Sequence, residues 1–147
     1  MEYLSIGPGA MGAFSMLGYL KTIEKSLDNI KEYSGASAGA IIIVFLALGF
    51  TIDDILEKLA ELEGNKLVKL NLKCFMNKYG LVDLKPIREK FTEILESDPT
   101  FSELDKKIYI SAFCVNTSKT VYFSKDSHPD MKIVDALCMS IAIPFIF

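Results

Sequence analysis

The chain has 147 residues, 50% of them hydrophobic and 24% charged, which excludes a disordered or low-complexity chain and fits one domain with a real core. Sixteen lysines and arginines against 19 aspartates and glutamates leave a net charge of −3. That balance argues against nucleic acid as the main partner, because phosphate binding needs a basic surplus, but leaves a membrane surface open to a local apolar or basic patch. The cysteines, Cys74, Cys114 and Cys138, are odd in number and widely spaced, with no C-x-x-C and one histidine in the chain. They predict reduced thiols in an intracellular, cytoplasmic protein and no metal site.

In chain order, Met1 to Ser5 has no basic region ahead of an apolar stretch, so no secretory signal is expected. Tyr3–Ile6 is short and apolar and predicts a buried strand. Gly7-Pro8-Gly9-Ala10-Met11-Gly12 is a loop, and Ala13 to Lys25 carries Phe14, Leu17, Leu20 and Ile23 at helical spacing. Ile30 to Tyr33 predicts a second strand. Ala38 to Leu48 predicts a helix that is apolar all round and therefore buried. The apolar run Ala40 to Phe50 falls short of the roughly 18–20 residues that a spanning helix needs.

Thr51 predicts a helix cap with Asp54 as its reciprocal partner, followed by the stripe Ile52, Ile55, Leu56, Leu59 and Leu62. Gly64-Asn65 ends that helix, and residues 66–79 show no assignable period. Pro86 suits a first helical turn, with the helix running on from Ile87 to Leu95. Ile108 to Val115 and Thr120 to Phe123 predict two strands joined by a hairpin loop. His128-Pro129-Asp130 is a turn, with His128 at the surface, and Ile133 to Ile141 is a last helix before Pro144. Strand and helix alternate at the front of the chain, which argues for an α/β layer fold with a largely parallel sheet.

Two glycine motifs carry candidate chemistry. Gly35-Ala36-Ser37-Ala38-Gly39 has the pattern G-x-S-x-G between an apolar strand and an apolar helix. A sharp strand-to-helix turn there projects the Ser37 hydroxyl as a nucleophile, and the following helix start aims N–H groups at developing negative charge. Small residues at all five positions also suit a tight packing turn without chemistry. Gly7 to Gly12 fits G-x-G-x-x-G after a strand and before a helix. One reading is an oxyanion hole built from the amides of Gly9 and Ala10. Another is a dinucleotide-binding turn in an oxidoreductase, for which Glu32 lies near the required spacing of about 20 residues. A plain packing turn is the third.

The pairing of these motifs resembles the patatin-like phospholipases, in which a glycine-rich oxyanion motif precedes G-x-S-x-G. Three further stretches agree in the family's order: Gly80-Leu81-Val82-Asp83, Thr100-Phe101-Ser102-Glu103-Leu104, and Asp135-Ala136 through Ser140 to Pro144-Phe145. The resemblance covers nearly the whole chain. It implies a three-layer α/β fold with a mainly parallel central sheet, a single domain over residues 1–147, and a lipid acyl hydrolase acting through a serine–aspartate dyad without a cofactor. The substrate it implies is a lipid or phospholipid met at a peripheral membrane surface. A non-catalytic lipid-binding protein of the same fold is the alternative.

Two departures from the family pattern qualify the site. Met11 stands where the family usually carries Arg or Lys, and Pro8 where it has Gly. Pro8 has no N–H to donate, which leaves Gly9, Ala10 and Met11 as oxyanion donors and Gly7, Gly12, Gly35 and Gly39 as the motif glycines. The family's dyad aspartate lies in an Asp-Gly motif that does not occur in these residues. Asp83, Asp126, Asp130 and Asp135 are read as solvated or capping carboxylates. The expectation is that the chain is the N-terminal part of a longer protein, with its general base beyond Phe147.

Overall fold

A computed structural model describes residues 2–61 and 84–142. Strand β1 (Tyr3–Ile6) is followed by a 3₁₀ turn (Ala10–Gly12) and helices α1 (Ala13–Thr22) and α2 (Glu24–Leu27). Then come β2 (Glu32–Ala36), α3 (Ala38–Ala47) and α4 (Ile52–Glu61). Beyond residue 84 lie α5 (Lys85–Leu95), a 3₁₀ turn (Phe101–Glu103), β3 (Lys107–Cys114), β4 (Lys119–Phe123) and α6 (Ile133–Ile141).

The sheet order is β1-β2-β3-β4, with β1, β2 and β3 parallel and β4 folded back antiparallel on β3. The period of two sorts its faces. Leu4, Ile6, Tyr33, Gly35, Ile108, Ile110 and Phe123 point to one side, where α3 and α6 pack. Tyr3, Ser5, Ser34, Tyr109, Ser111 and Tyr122 point to the other, where Ser34 Oγ donates to Ser5 Oγ at 2.8 Å. Of the three layers expected, the described residues supply the sheet and the helical layer on its apolar face.

Helix α3 is the centre of the core. Ala40, Ile42, Ile43, Val44 and Phe45 are all fully buried, as the absence of a polar face predicts. At about 1.5–3 kcal/mol for each large apolar side chain taken out of water, this one helix supplies a large share of the burial energy. Phe45 packs edge-on against Phe50 with ring centroids 5.2 Å apart. On α4 the expected stripe holds: Ile52, Ile55 and Leu59 are buried and Leu56 is half-buried, while Leu62 lies outside the described residues.

Three expectations shift. The helix expected over Ala13 to Lys25 breaks at Ile23, whose φ of −114° and ψ of 14° leave the helical region. Just ahead of the break, Thr22 Oγ1 donates back to the Tyr19 carbonyl at 2.7 Å, a bond that competes with the backbone ladder. The second strand begins at Glu32 rather than Ile30 and runs through Gly35 into the serine motif. Ile30, fully buried, belongs to the approach and anchors it. Asp126 and Asp135 are not simply solvated. Asp126 pairs with Lys107 at 2.6 Å, and Asp135 accepts from Arg88 Nε at 2.7 Å.

Reciprocal caps close the start of α4 and of the second 3₁₀ turn. The Thr51 amide donates to Asp54 at 2.9 Å while the Asp54 amide donates to Thr51 Oγ1 at 3.2 Å. The Thr100 amide donates to Glu103 at 2.6 Å in a second capping box. Hydrogen bonds from Thr51 and Thr100 hold the Asp54 and Glu103 carboxyls below their ordinary values. Such groups stabilise the fold above their unfolded pKa, about 4, and that contribution is lost as pH falls through the folded value. The urea midpoint is therefore expected to be level from pH 7 to 5 and to fall by pH 3. Thr51→Ala should shrink the drop, and an unchanged pH profile in that variant contradicts the capping role.

Candidate active site

The serine motif forms the junction of β2 and α3. Strand β2 ends at Ala36, and Ser37 turns the chain with φ 53° and ψ −122° before α3 starts at Ala38. This is left-handed backbone, costing an L-residue about 1–3 kcal/mol, and such strain gathers at functional sites. The two motif glycines make the turn possible. A Cβ on Gly35 would lie 2.7 Å from the Gly39 carbonyl oxygen and 2.8 Å from the Ala40 nitrogen. One on Gly39 would run into the Ile6 carbonyl oxygen and lie 2.6 Å from that of Gly7. The first turn of α3 thus rests directly on the end of β1, where the glycine loop begins.

That contact brings the two motifs together. Ala10 and Ser37 face one cavity of about 210 Å³, whose other walls are Ala13, Phe14, Ala38, Ile41, Leu59 and Ile141. Among the described residues every wall residue except Ser37 is apolar, a lining suited to a hydrocarbon chain. Ala10 has a φ of 43°, so both motifs place a non-glycine residue in the left-handed region at this cavity. In the loop, the Gly12 amide donates to the Gly9 carbonyl at 2.7 Å, closing the 3₁₀ turn. Among the described residues the Gly9, Ala10 and Met11 amides donate to none of the turn and cap carbonyls. Gly7 is exposed at the end of β1, Gly9 is half-buried, and the Met11 side chain is 79% exposed.

The Ser37 hydroxyl makes no hydrogen bond to any described residue, and among the described residues no carboxylate lines its cavity. Asp126, Asp130 and Asp135 belong to other parts of the surface, and Asp83 lies outside the described residues. His128 is exposed in its turn, as expected, with Nδ1 2.9 Å from Ser127 Oγ and its ring edge-on to Phe123. Among the described residues no group of histidine, cysteine or acidic side chains is arranged to hold a metal ion. Cys114 and Cys138 are free thiols, and burial pushes the Cys138 thiol up to about 11. Cys74 lies outside the described residues.

Two further residues meet the serine elbow. Ala38, directly after the serine, lines the cavity at the first position of α3, where the N–H has no intrahelical acceptor. The second is Ser140 on α6, whose Oγ accepts the Ser37 N–H at 2.8 Å and donates to the Ser111 carbonyl at 2.7 Å. The segment around Ser140 shares in the family resemblance and has helical spacing, but neither marks its contact with Ser37, 103 positions away in sequence.

The dinucleotide alternative fails on geometry. Glu32 opens β2, paired in register with Tyr3 and Lys107, at the end of the strand away from the glycine loop. A ribose-binding acid belongs at the other end, beyond the strand's carboxyl terminus. Ser37 occupies that place.

The fold and site define an α/β protein whose mostly parallel sheet carries a serine on a strand–turn–helix elbow beside a glycine-rich loop. The chain belongs to the patatin family, whose patatin-like phospholipase model matches residues 4–147. It is 32% identical to an uncharacterized protein of Acanthamoeba polyphaga mimivirus, over 99% of this chain and 53% of that one. It is 29% identical to Probable lipid hydrolase 463L of Invertebrate iridescent virus 6, over 98% of this chain and 54% of the other. A cGAMP-activated phospholipase of Escherichia coli is 24% identical over 96% of this chain and 45% of its own length. The chain spans about half the length of these relatives. Among solved structures, VipD from Legionella pneumophila superposes with a TM-score of 0.71 at 19% identity, covering 99% of this chain and 43% of that one. ExoU of Pseudomonas aeruginosa, in complex with SpcU, gives 0.68 at 18% identity, covering 99% and 39%.

Two stability measurements check the elbow. Ser37→Gly should be more stable to urea than Ser37→Ala by about 1 kcal/mol, because only glycine enters the left-handed region freely. Equal stability would mean that Ser37 is not left-handed. Gly39→Ala should destabilise by about 1–3 kcal/mol, since its Cβ meets backbone rather than a movable side chain. A wild-type midpoint in that variant contradicts the close approach.

Proposed function

We propose that the chain carries the nucleophile and oxyanion half of a lipid acyl hydrolase that cleaves carboxylic esters of lipids or phospholipids. The observation that carries this reading is the left-handed Ser37, set on one cavity with Ala10 of the glycine loop. The Ser37 hydroxyl attacks the ester carbonyl, and its proton passes to a general base. The carbonyl oxygen takes the negative charge in the tetrahedral intermediate. N–H groups of the loop, Gly9, Ala10 and Met11, stabilise it from one side and that of Ala38 from the other. One such donor is worth roughly 10²–10³ in rate. Collapse expels the alcohol, which takes the proton, and leaves an acyl ester on Ser37. Water then attacks that ester, activated by the same base, and releases the fatty acid and free serine.

The base in this reading is an aspartate outside the described residues. No described carboxylate lines the cavity, and the relatives are about twice as long. The apolar cavity walls take the acyl chain. Exposed Met11 and Phe14 flank the site and give it an apolar rim that a membrane or micelle surface would cover. Met11 in place of a cation leaves the oxyanion to backbone donors, so the site gains no charge attraction for phosphate at that point. The apolar residues of 67–76, the other candidate lipid contacts, lie outside the described residues.

The test is fatty-acid release from mixed phospholipid and neutral-lipid micelles by the full-length protein. Ser37→Ala should lower release at least about 10⁴-fold, to the uncatalysed background. Undiminished release by that variant refutes the nucleophile. Lipid binding by a wild-type protein that releases nothing would support the non-catalytic alternative.

A further inference from the structure

We infer that Ser140 is a positioning residue that splices the broken edge of the sheet and holds Ser37 in its strained, reactive conformation. This rests on the reading of Ser37 as the nucleophile. In a parallel ladder, a carbonyl is met by the amide one position beyond its register partner. Ala36 of β2 is the register partner of Ser111 on β3, so the next amide due at the Ser111 carbonyl is that of Ser37. At that position the chain leaves the sheet for the elbow, with φ at 53°. The Ser140 hydroxyl enters the gap. It accepts the Ser37 N–H at 2.8 Å and donates its own hydrogen to the Ser111 carbonyl at 2.7 Å. One side chain thus supplies both halves of the missing rung. Neither backbone group is left unpaired, which removes the penalty of a desolvated N–H or C=O without a partner.

Three consequences follow for the site. The Ser37 N–H is committed to Ser140, so it does not belong to the oxyanion hole, and that role falls to Ala38 and the glycine loop. The hydroxyl also fixes the nucleophile from outside its own strand and helix, on a third element. That element is itself anchored. Arg88 of α5 forks between Asp135 of α6, at 2.7 Å, and Asp98 ahead of it, at 3.0 Å. Asp98 also accepts the Val134 N–H at 3.3 Å, in the first turn of α6. The set of α6 against the sheet therefore bears on the angle at which Ser37 meets an ester, with no residue of α6 but Ile141 at the cavity wall.

The test is steady-state hydrolysis of a soluble short-chain nitrophenyl ester by the full-length protein, with folding of each variant verified by circular dichroism. Ser140→Ala should lower kcat by about 10- to 100-fold, the scale of a misplaced reacting group, with KM within about twofold of wild type. Ser140→Thr, which restores a hydroxyl, should bring kcat back to within about threefold. A folded Ser140→Ala with wild-type kcat, or a Thr variant no better than Ala, overturns the inference. If the Ala variant does not fold, Ser140→Cys replaces it, keeping size but weakening both hydrogen bonds. Its kcat should fall at least about fivefold at unchanged KM, and wild-type kcat overturns the inference. Ser37→Ala run alongside separates the two readings. Wild-type hydrolysis by that variant sinks the nucleophile itself, whereas its loss together with an active Ser140→Ala sinks only the role of Ser140.

Discussion

The structure depends on one close approach. Gly39 has no Cβ, so the first turn of α3 can lie against the Ile6 and Gly7 carbonyls at the end of β1. The glycine loop starts at that point, so Ala10 of the loop and the Ser37 elbow are brought to one cavity by a backbone-to-backbone contact. A methyl group at Gly39 would push α3 off the strand and separate the two halves of the site. The same contact explains why α3 is apolar on every side. A helix pressed this tightly onto a sheet, beneath α1, α4 and α6, has no solvent face to give a polar residue.

Around that contact the fold holds conformations that isolated chains avoid. Ser37 and Ala10 both sit at positive φ, costing about 1–3 kcal/mol each. The buried aliphatic side chains of α3 and the strands facing it offset this many times over. The strain is thus imposed by packing that is stable for its own reasons. Ser37 cannot relax without moving α3, and the hydrogen bonds through Ser140 oppose such a movement from the side of β3. On the proposed function, a site built this way is preorganised, so little rearrangement is needed when negative charge forms on the substrate.

Much of this was legible in the amino-acid sequence because it is local. A strand, a glycine loop, a small-residue turn and an apolar helix each declare themselves within a few residues, as do the Thr51–Asp54 cap and the β3–β4 hairpin. The Ile23 break was not legible, because helical spacing continues across it while the bend comes from a Thr22 back-bond and packing. Nor was the full length of β2, since Ser34-Gly35 has neither the bulk nor the branching of a strand and is extended because β1 and β3 flank it. The Arg88 fork and the Ser140 bridge join parts of the chain far apart in sequence. Serine in an amphipathic helix carries no mark of the amide it will meet. The family resemblance named the segment that holds Ser140 but not what its hydroxyl does.

The most direct measurement is the site of covalent capture. The full-length protein is treated with a fluorophosphonate, digested and read by mass spectrometry. A serine poised on a strained elbow beside the glycine loop should take the phosphonate in a single adduct on the peptide containing Ser37, and heat-unfolded protein should take none. No adduct on the folded protein, or an adduct on another serine with Ser37 unmodified, would contradict the account.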